Sequence, residues 1–341
     1  MDRQDELRIA LCHSNPDYEA SLAGALAADY PGVAPDVITR LSIPSRVSAL
    51  LRGDYDVIHV DELVANGLLA ASTSVVARTP LVVYFRGWDD YLNSHGQYST
   101  LKAARLSLYT RSTLARAAAV MTISERTADM LSTRYRLGEV TACPRPFPVD
   151  EYRSAAEGAD DGDETTIVTV TNLRYKGKYR GVTQILAALE PIFEADLADR
   201  YLIAGDGRYL DRVRARVRHH PFADRIDVLG FQNDVPGLLA RADAFAYVSY
   251  LDAYPTAVLE AQAAGLPIVA GNASGVPDAV GDAGLVCEPT PDALAEGIRS
   301  VLCNPATRRR LSKRARRKAA THNEASVETH IDVWRAVASA R

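Results

Sequence analysis

Short, mostly apolar runs recur along this chain with helix-length stretches between them, and within the runs apolar and polar residues do not alternate. Arg8 to Cys12, Val57 to Val60, Leu81 to Phe85 and Val120 to Ile123 form one such set. A strand that is apolar on both faces must be covered on both faces, which a parallel sheet between helix layers achieves. The pattern then starts again with Thr166 to Thr171, Arg200 to Ala204, Ile226 to Leu229, Ala244 to Tyr247, Ile268 to Ala270 and Gly284 to Val286. Parallel strands need a crossover between them, so two α/β domains in series are predicted. At 341 residues the chain has the length of two domains rather than one.

Pro144 to Pro148 holds three prolines in five residues, and Ala155 to Glu164 is Ala, Gly, Asp and Glu with almost no apolar bulk. A stretch that cannot bury a side chain reads as a linker. The predicted division is therefore 1–155, an acidic linker over 156–164, a second domain over 165–320 and a closing helix over 321–341. Within the linker, Asp161-Gly162-Asp163 has the Asp-x-Asp form of a metal-binding pair. It lacks a preceding strand or any supporting shell, so no metal is expected.

Composition narrows the function. Thirty-nine basic against 43 acidic residues leave a net charge of -4, which offers nucleic acid no overall field. Cys12, Cys143, Cys287 and Cys303 lie far apart and form no CxxC pair, which predicts unpaired thiols in a reducing compartment. The first six residues are acidic and no run approaches 18 uncharged apolar residues, so a cytoplasmic protein without a signal peptide or membrane span is expected. Two local basic segments stand out. Eight of the eleven residues from Arg308 to Lys318 are basic, and Lys102, Arg105, Arg111 and Arg116 lie among Leu and Tyr between Tyr91 and Met121. The first suits a solvated helix face, contact with anionic lipid or contact with nucleic acid, and the second suits an interfacial helix; lipid contact would place the protein peripherally on the inner face of the cell membrane.

The first domain's opening strand runs into Cys12-His13-Ser14-Asn15-Pro16 with no GxGxxG, which excludes the usual dinucleotide fingerprint. Three strand ends in the second domain carry more. After Thr171 comes Asn172-Leu173-Arg174, then Arg180-Gly181, with Lys176 and Lys178 adding positive charge; paired guanidiniums at a parallel sheet's C-terminal edge suit a diphosphate. After Ala204 comes Gly205-Asp206-Gly207, whose glycines allow close backbone approach. After Tyr247 a loop leads to Pro255 and a helical run ended by Gly265 and Pro267. Backbone N–H groups of Thr256, Ala257 and Val258 would form an anion site there. Glu260, one turn in, could accept from both hydroxyls of a ribose, and Asp252 from the hydroxyls of an attached sugar.

Together these residues resemble the GT-B glycosyltransferases of family 4, whose signature is two acids separated by seven residues and a Glu-Ala-x-x-x-Gly-x-Pro helix. Here it stands as Asp252-x7-Glu260 and Glu260-Ala261-Gln262-Ala263-Ala264-Gly265-Leu266-Pro267. The likeness runs from about Ile167 to Leu302 and includes Gly205-Asp206-Gly207, Val228-Leu229-Gly230-Phe231 and Gly275-Val276-Pro277-Asp278. It implies two Rossmann-like α/β domains whose parallel sheets face an interdomain cleft, with the stretch Val327 to Val337 crossing back onto the first domain. It also implies transfer of a sugar, with retention and without a metal, from a nucleoside-diphosphate sugar to a glycan, lipid-linked or other hydroxyl acceptor. No separate cofactor is implied, the nucleotide being part of the substrate, with UDP or GDP expected.

By this resemblance Arg174 and Arg180 hold the diphosphate, with Lys176 as a second candidate; Glu260 binds the ribose and Asp252 the sugar. Phe231 and Gln232 face the base, and Tyr254 lies in the donor loop. The match departs at Asp252, where the family has Glu, and at Ala253, where it has Gly. In the first domain Arg86-Gly87-Trp88-Asp89 replaces a His-Gly pair. His13, Asn15, Arg86, Trp88 and Asp89 follow buried strands and form the candidate acceptor side. A sugar-nucleotide 2-epimerase of the same fold and a catalytically silent nucleotide-binding subunit are the competing readings.

Overall fold

The computed structural model describes residues 6–12, 22–26, 30–38, 41–61, 65–85, 99–158 and 164–340. His13, Asn15, Arg86, Trp88, Asp89 and the Asp161-x-Asp163 pair lie outside these residues. The chain divides into two compact units, Met1–Phe147 with His322–Arg341, and Pro148–Thr321.

In the first unit, strands β1 (Leu7–Cys12), β2 (Val33–Val37), β3 (Val57–Val60), β4 (Leu81–Tyr84), β5 (Ala117–Thr122) and β6 (Val140–Ala142) form a parallel sheet in the order β2-β1-β3-β4-β5-β6. Helices α1 (Ile43–Arg52), α2 (Ala65–Ala77), α3 (Thr100–Leu114) and α4 (Glu125–Tyr135) alternate with the strands. β3 and β4 are buried along their whole length, as their unbroken apolarity requires. β2 and β6 are the sheet's two edges and were not among the predicted strands. β2 contains Pro35 and Asp36, residues tolerated at an edge, where one side of the ladder needs no partner, and β6 is three half-buried residues long.

The chain's last helix, α12 (Pro305–Ser339), completes this core. Val327, Ile331, Trp334 and Val337 recur at helical spacing and pack with Ile9, Leu11, Val57, Val82, Tyr84 and Met121. Asn323 fastens the helix to the preceding chain: its amide donates to the Phe147 carbonyl at 2.7 Å and its oxygen accepts from the Phe147 N–H at 3.1 Å.

The second unit holds α5 (Val149–Glu157), β7 (Thr166–Val170), α6 (Lys176–Glu194), β8 (Arg200–Ala204), α7 (Leu210–Arg218), β9 (Ile226–Gly230), α8 (Val235–Ala240), β10 (Ala244–Tyr247), α9 (Thr256–Ala263), β11 (Ile268–Gly271), α10 (Val276–Val280), β12 (Gly284–Cys287) and α11 (Pro291–Cys303). Its parallel sheet has the order β12-β11-β10-β7-β8-β9. Counted from β7 this is 3-2-1-4-5-6, so the direction of winding reverses between β7 and β10, and ligands bind outside the carboxyl ends of strands at such a point.

The division differs from the one predicted. Residues 149–155 were assigned to the first domain and 156–164 to a linker, but Val149 to Glu157 form α5, which packs on α8 and α9 of the second unit. Val149 and Tyr152 are its buried residues. The Ala and Glu content that reads as too poor for a core is a good helix former, and two anchoring side chains suffice.

Trp334 is fully buried and donates through Nε1 to His59 Nδ1 at 3.1 Å. Trp334→Ala is expected to destabilise the first unit by about 3–5 kcal/mol. Urea unfolding followed by circular dichroism checks this, and a loss below about 1 kcal/mol would show that α12 does not hold that core.

Candidate functional site

The reversal point gathers three loops. The β7 strand leads into Asn172-Leu173-Arg174 and then into α6, and Arg174, Lys176 and Arg180 are all exposed there. The Arg180 guanidinium lies over the Tyr250 ring, 4.4 Å from its centre, so the loop after β10 holds that cation in place. The N-cap residue of α6, Tyr175, makes no side-chain capping bond, and no acid occupies the helix's first turn. Cations at the positive end of a helix dipole are unfavourable, by about 0.3–1 kcal/mol each, unless an anion joins them.

The α9 N-terminus likewise has no capping bond from its N-cap residue, Pro255, and no acid in its first turn. The Val258 N–H turns back onto the Pro255 carbonyl at 3.1 Å, which corrects its predicted place among the anion donors. The amides of Thr256 and Ala257 are the ones this first turn leaves over.

Gly205 and Gly207 sit at φ of +140° and +146°. A Cβ at Gly205 would overlap the Thr171 carbonyl, and one at Gly207 would meet the backbone at Leu173 and Arg174. These glycines let the β8 loop lie directly against the β7 loop, and the Leu173 N–H donates to the Asp206 carbonyl at 2.8 Å. They shape the rim that carries Arg174. Past β9, Phe231 is 71% exposed, while the Gln232 amide nitrogen donates to the Leu229 and Phe231 carbonyls at 3.1 and 3.0 Å.

The two acids differ sharply. Asp252 is buried, with Oδ1 2.7 Å from Lys178 Nζ and Oδ2 accepting from the Tyr247 hydroxyl at 2.6 Å. Burial works against the Lys178 charge, but Asp252 and Tyr247 outweigh it and hold the ammonium above its ordinary range. Burial, then Asp252, raises the Tyr247 hydroxyl. Glu260 is half-buried, and burial lifts its pKa to about 7, with a hydrogen bond from Tyr152 pulling the other way. The Tyr152 hydroxyl is raised in turn by burial and by Glu260. Tyr254, on the loop before α9, is pushed up to about 12 by burial and Asp278.

Lys178, Tyr247, Tyr152 and Tyr250 are the members that sequence reasoning did not assign. Lys178 had one available signal. It shares a helix face with Val182, Ile185 and Leu189, all buried, and a lysine in an apolar stripe needs a buried acid.

Two family models cover nearly the whole chain. The model of the glycosyl transferases group 1 matches residues 152–318, and that of glycosyltransferase family 4 matches residues 3–151. The chain belongs to the group 1 glycosyltransferases. Among curated proteins, glycogen synthase of Mycobacterium tuberculosis is 30% identical over 187 residues, 53% of this chain and 44% of that protein. The GDP-mannose-dependent alpha-(1-6)-phosphatidylinositol dimannoside mannosyltransferase of the same species is 31% identical over 143 residues, covering 41% and 36% of the two chains. The match thus spans less than half the length of these relatives. Among solved structures, Anabaena HepE in complex with UDP-glucose superposes over 98% of this chain and 100% of its own, with a TM-score of 0.72 at 17% identity. The architecture is the two-domain, Rossmann-like GT-B fold.

The raised pKa of Glu260 sets a stability trend for this glycosyltransferase. Unfolded, the carboxyl loses its proton near its ordinary value of 4.5; folded, it keeps it to about 7. The folded state binds the extra proton between those values, so stability is fullest below about 4.5 and falls as pH rises through about 7. Glu260→Gln is expected to flatten this slope, on the order of 1–3 kcal/mol over the window. Denaturant melts of both proteins at pH 4.5 and 8 check it, and parallel pH curves would refute the assignment.

Proposed function

We propose that this group 1 glycosyltransferase moves a sugar from a UDP- or GDP-sugar to a hydroxyl of a glycan or lipid-linked acceptor, without a metal and with retention of configuration. The observation that carries the reading is the pair of uncapped helix N-termini, α6 and α9, at the carboxyl ends of the adjacent strands β7 and β10. Arg174, Lys176 and Arg180 surround the first of them where acids would ordinarily stand. A diphosphate supplies the missing negative charge. The relatives' names, glycogen synthase and GDP-mannose-dependent mannosyltransferase, and the UDP-glucose in HepE support a nucleotide sugar as the donor.

In this mechanism the acceptor oxygen bonds to the sugar's anomeric carbon as the bond from that carbon to the diphosphate oxygen breaks. The departing diphosphate takes the acceptor's proton on the same face. The protein's part is to stabilise the charge gathering on the diphosphate, through Arg174, Arg180 and the amides of Thr256 and Ala257. The Glu260 carboxylate accepts from the ribose hydroxyls, and the exposed Phe231 ring receives the base. Gln232 has spent its amide nitrogen on backbone carbonyls, so its side-chain oxygen is what it offers the base.

A lipid-linked acceptor would bring the enzyme to a membrane surface. Among the described residues no helix is long and apolar enough to cross a membrane. Leu101 and Leu108 nevertheless stand 86% and 62% exposed on α3, one turn either side of the exposed Arg105. Apolar and basic residues on one exposed face suit anionic headgroups.

Two measurements test these readings. In calorimetry the protein is expected to bind UDP or GDP, with Arg174→Ala and Arg180→Ala each weakening the tighter one about tenfold to a hundredfold. Failure of either nucleotide to bind would end the donor-site reading. In flotation at low salt the protein is expected to rise with phosphatidylglycerol vesicles and Leu101→Ser/Leu108→Ser to stay behind. A wild-type protein that stays at the bottom would remove the membrane surface.

A further inference from the structure

Asp252 is the member of the acid pair expected to touch the donor's sugar, and its surroundings do not suit that task. Its two oxygens take separate partners: Lys178 Nζ on Oδ1 at 2.7 Å and the Tyr247 hydroxyl on Oδ2 at 2.6 Å. Lys178 Nζ also donates to the Tyr247 hydroxyl at 3.0 Å, so the three side chains close a triangle. All three are buried; Tyr247 stays 1%, Lys178 5% and Asp252 6% exposed. A buried ion pair that gives up a partner exposes the remaining charge to full desolvation, so exchange of Lys178 for a sugar hydroxyl is strongly opposed. The Asp252 carbonyl is engaged as well, accepting from the Gly275 N–H at 2.7 Å.

The partners come from different parts of the unit. Lys178 belongs to α6, Tyr247 to the end of β10, and Gly275 to the turn before α10. Asp252 thus ties the segment between β10 and α9 to three neighbours. That segment carries Tyr250, on which Arg180 rests, and ends at Pro255, which opens the α9 N-terminus.

We infer that Asp252 is a positioning residue, clamped by Lys178 and Tyr247 so that Arg180 and the first amides of α9 meet a single diphosphate. The sugar of the donor is selected elsewhere. This rests on the donor-site reading above and makes a separate claim within it. A residue that touches the sugar acts on nucleotide sugar alone; one that sets the diphosphate seat acts equally on nucleotide and nucleotide sugar.

The test is calorimetry on the full chain with UDP, UDP-glucose, GDP and GDP-mannose as probes. Asp252→Asn and Lys178→Met are expected to weaken the bare nucleoside diphosphate and its sugar by the same factor, about tenfold or more, leaving their ratio unchanged within about twofold. Tyr247→Phe keeps the ring and removes one arm of the triangle. It is expected to act in the same direction and less strongly, and it carries the test if the other two variants do not fold. Unchanged nucleotide affinity with a loss confined to nucleotide sugar would overturn the inference and return Asp252 to the sugar. A wild-type chain that binds none of the four probes would instead overturn the donor-site reading, and this inference with it.

Discussion

The second unit's site depends on backbone lying directly on backbone. A side chain at Gly205 would overlap the Thr171 carbonyl, one at Gly181 the Val248 carbonyl, and one at Gly275 the Ala253 carbonyl. Each contact joins the ends of different elements, and hydrogen bonds close them: Gly205 N–H to Gly230 O at 2.7 Å and Tyr209 N–H to Leu173 O at 3.0 Å. Loops held this way cannot drift apart without stranding buried polar groups. Arg174, Arg180 and the α9 N-terminus therefore stand on one frame. Here the glycines serve the protein's own packing, and ligand geometry follows from it.

On that frame the charges sort themselves by burial. Lys178 cancels Asp252 inside the unit, so neither contributes to the surface potential. Glu260, half-buried, stays neutral up to about pH 7. What remains exposed at the β7 and β10 ends is Arg174, Lys176, Arg180 and two helix N-termini. A chain with net charge -4 thus gathers a local patch of positive charge at one sheet edge. Near neutral pH, ionisation of Glu260 adds a carboxylate acceptor next to that patch, at the cost of some stability.

Much of this was legible in the residues. The six strands of the second sheet were read within a residue of their observed limits; β7, β10 and β11 lie inside the sheet and are continuous in apolarity, and even the edge strands β9 and β12 keep a mostly apolar run of four or five residues. β2 and β6 were missed because Pro35 and Asp36 interrupt the one and the other is only three residues long, so neither pattern rises above that of a loop. Arg174, Arg180, Thr256 and Glu260 could be assigned to the sheet's carboxyl edge because motif spacing and strand ends report which residues reach it. The state of Asp252 could not be read, since whether an acid is offered or sealed depends on Lys178, 74 positions earlier in the chain. Tyr152 was hidden behind a misplaced boundary, its helix having been given to the other domain.

The basic run from Arg308 to Lys318 shows how a charge pattern divides once it is folded. Lys318 donates to the Ala279 carbonyl at 2.7 Å, Arg317 meets Asp282 at 3.1 Å, and Arg314 donates to the Asp282 carbonyl at 3.2 Å. Cations are favoured where a short helix such as α10 leaves its last carbonyls over, so these residues close the unit rather than seek an external anion. Arg309, Arg310, Lys313 and Arg316 remain exposed for a solvated or headgroup-binding face. Further along the same helix the stripe of Val327, Ile331 and Trp334 enters the core of the first unit. A 35-residue helix can therefore be basic at one end and apolar at the other without conflict, because each end answers to a different interior.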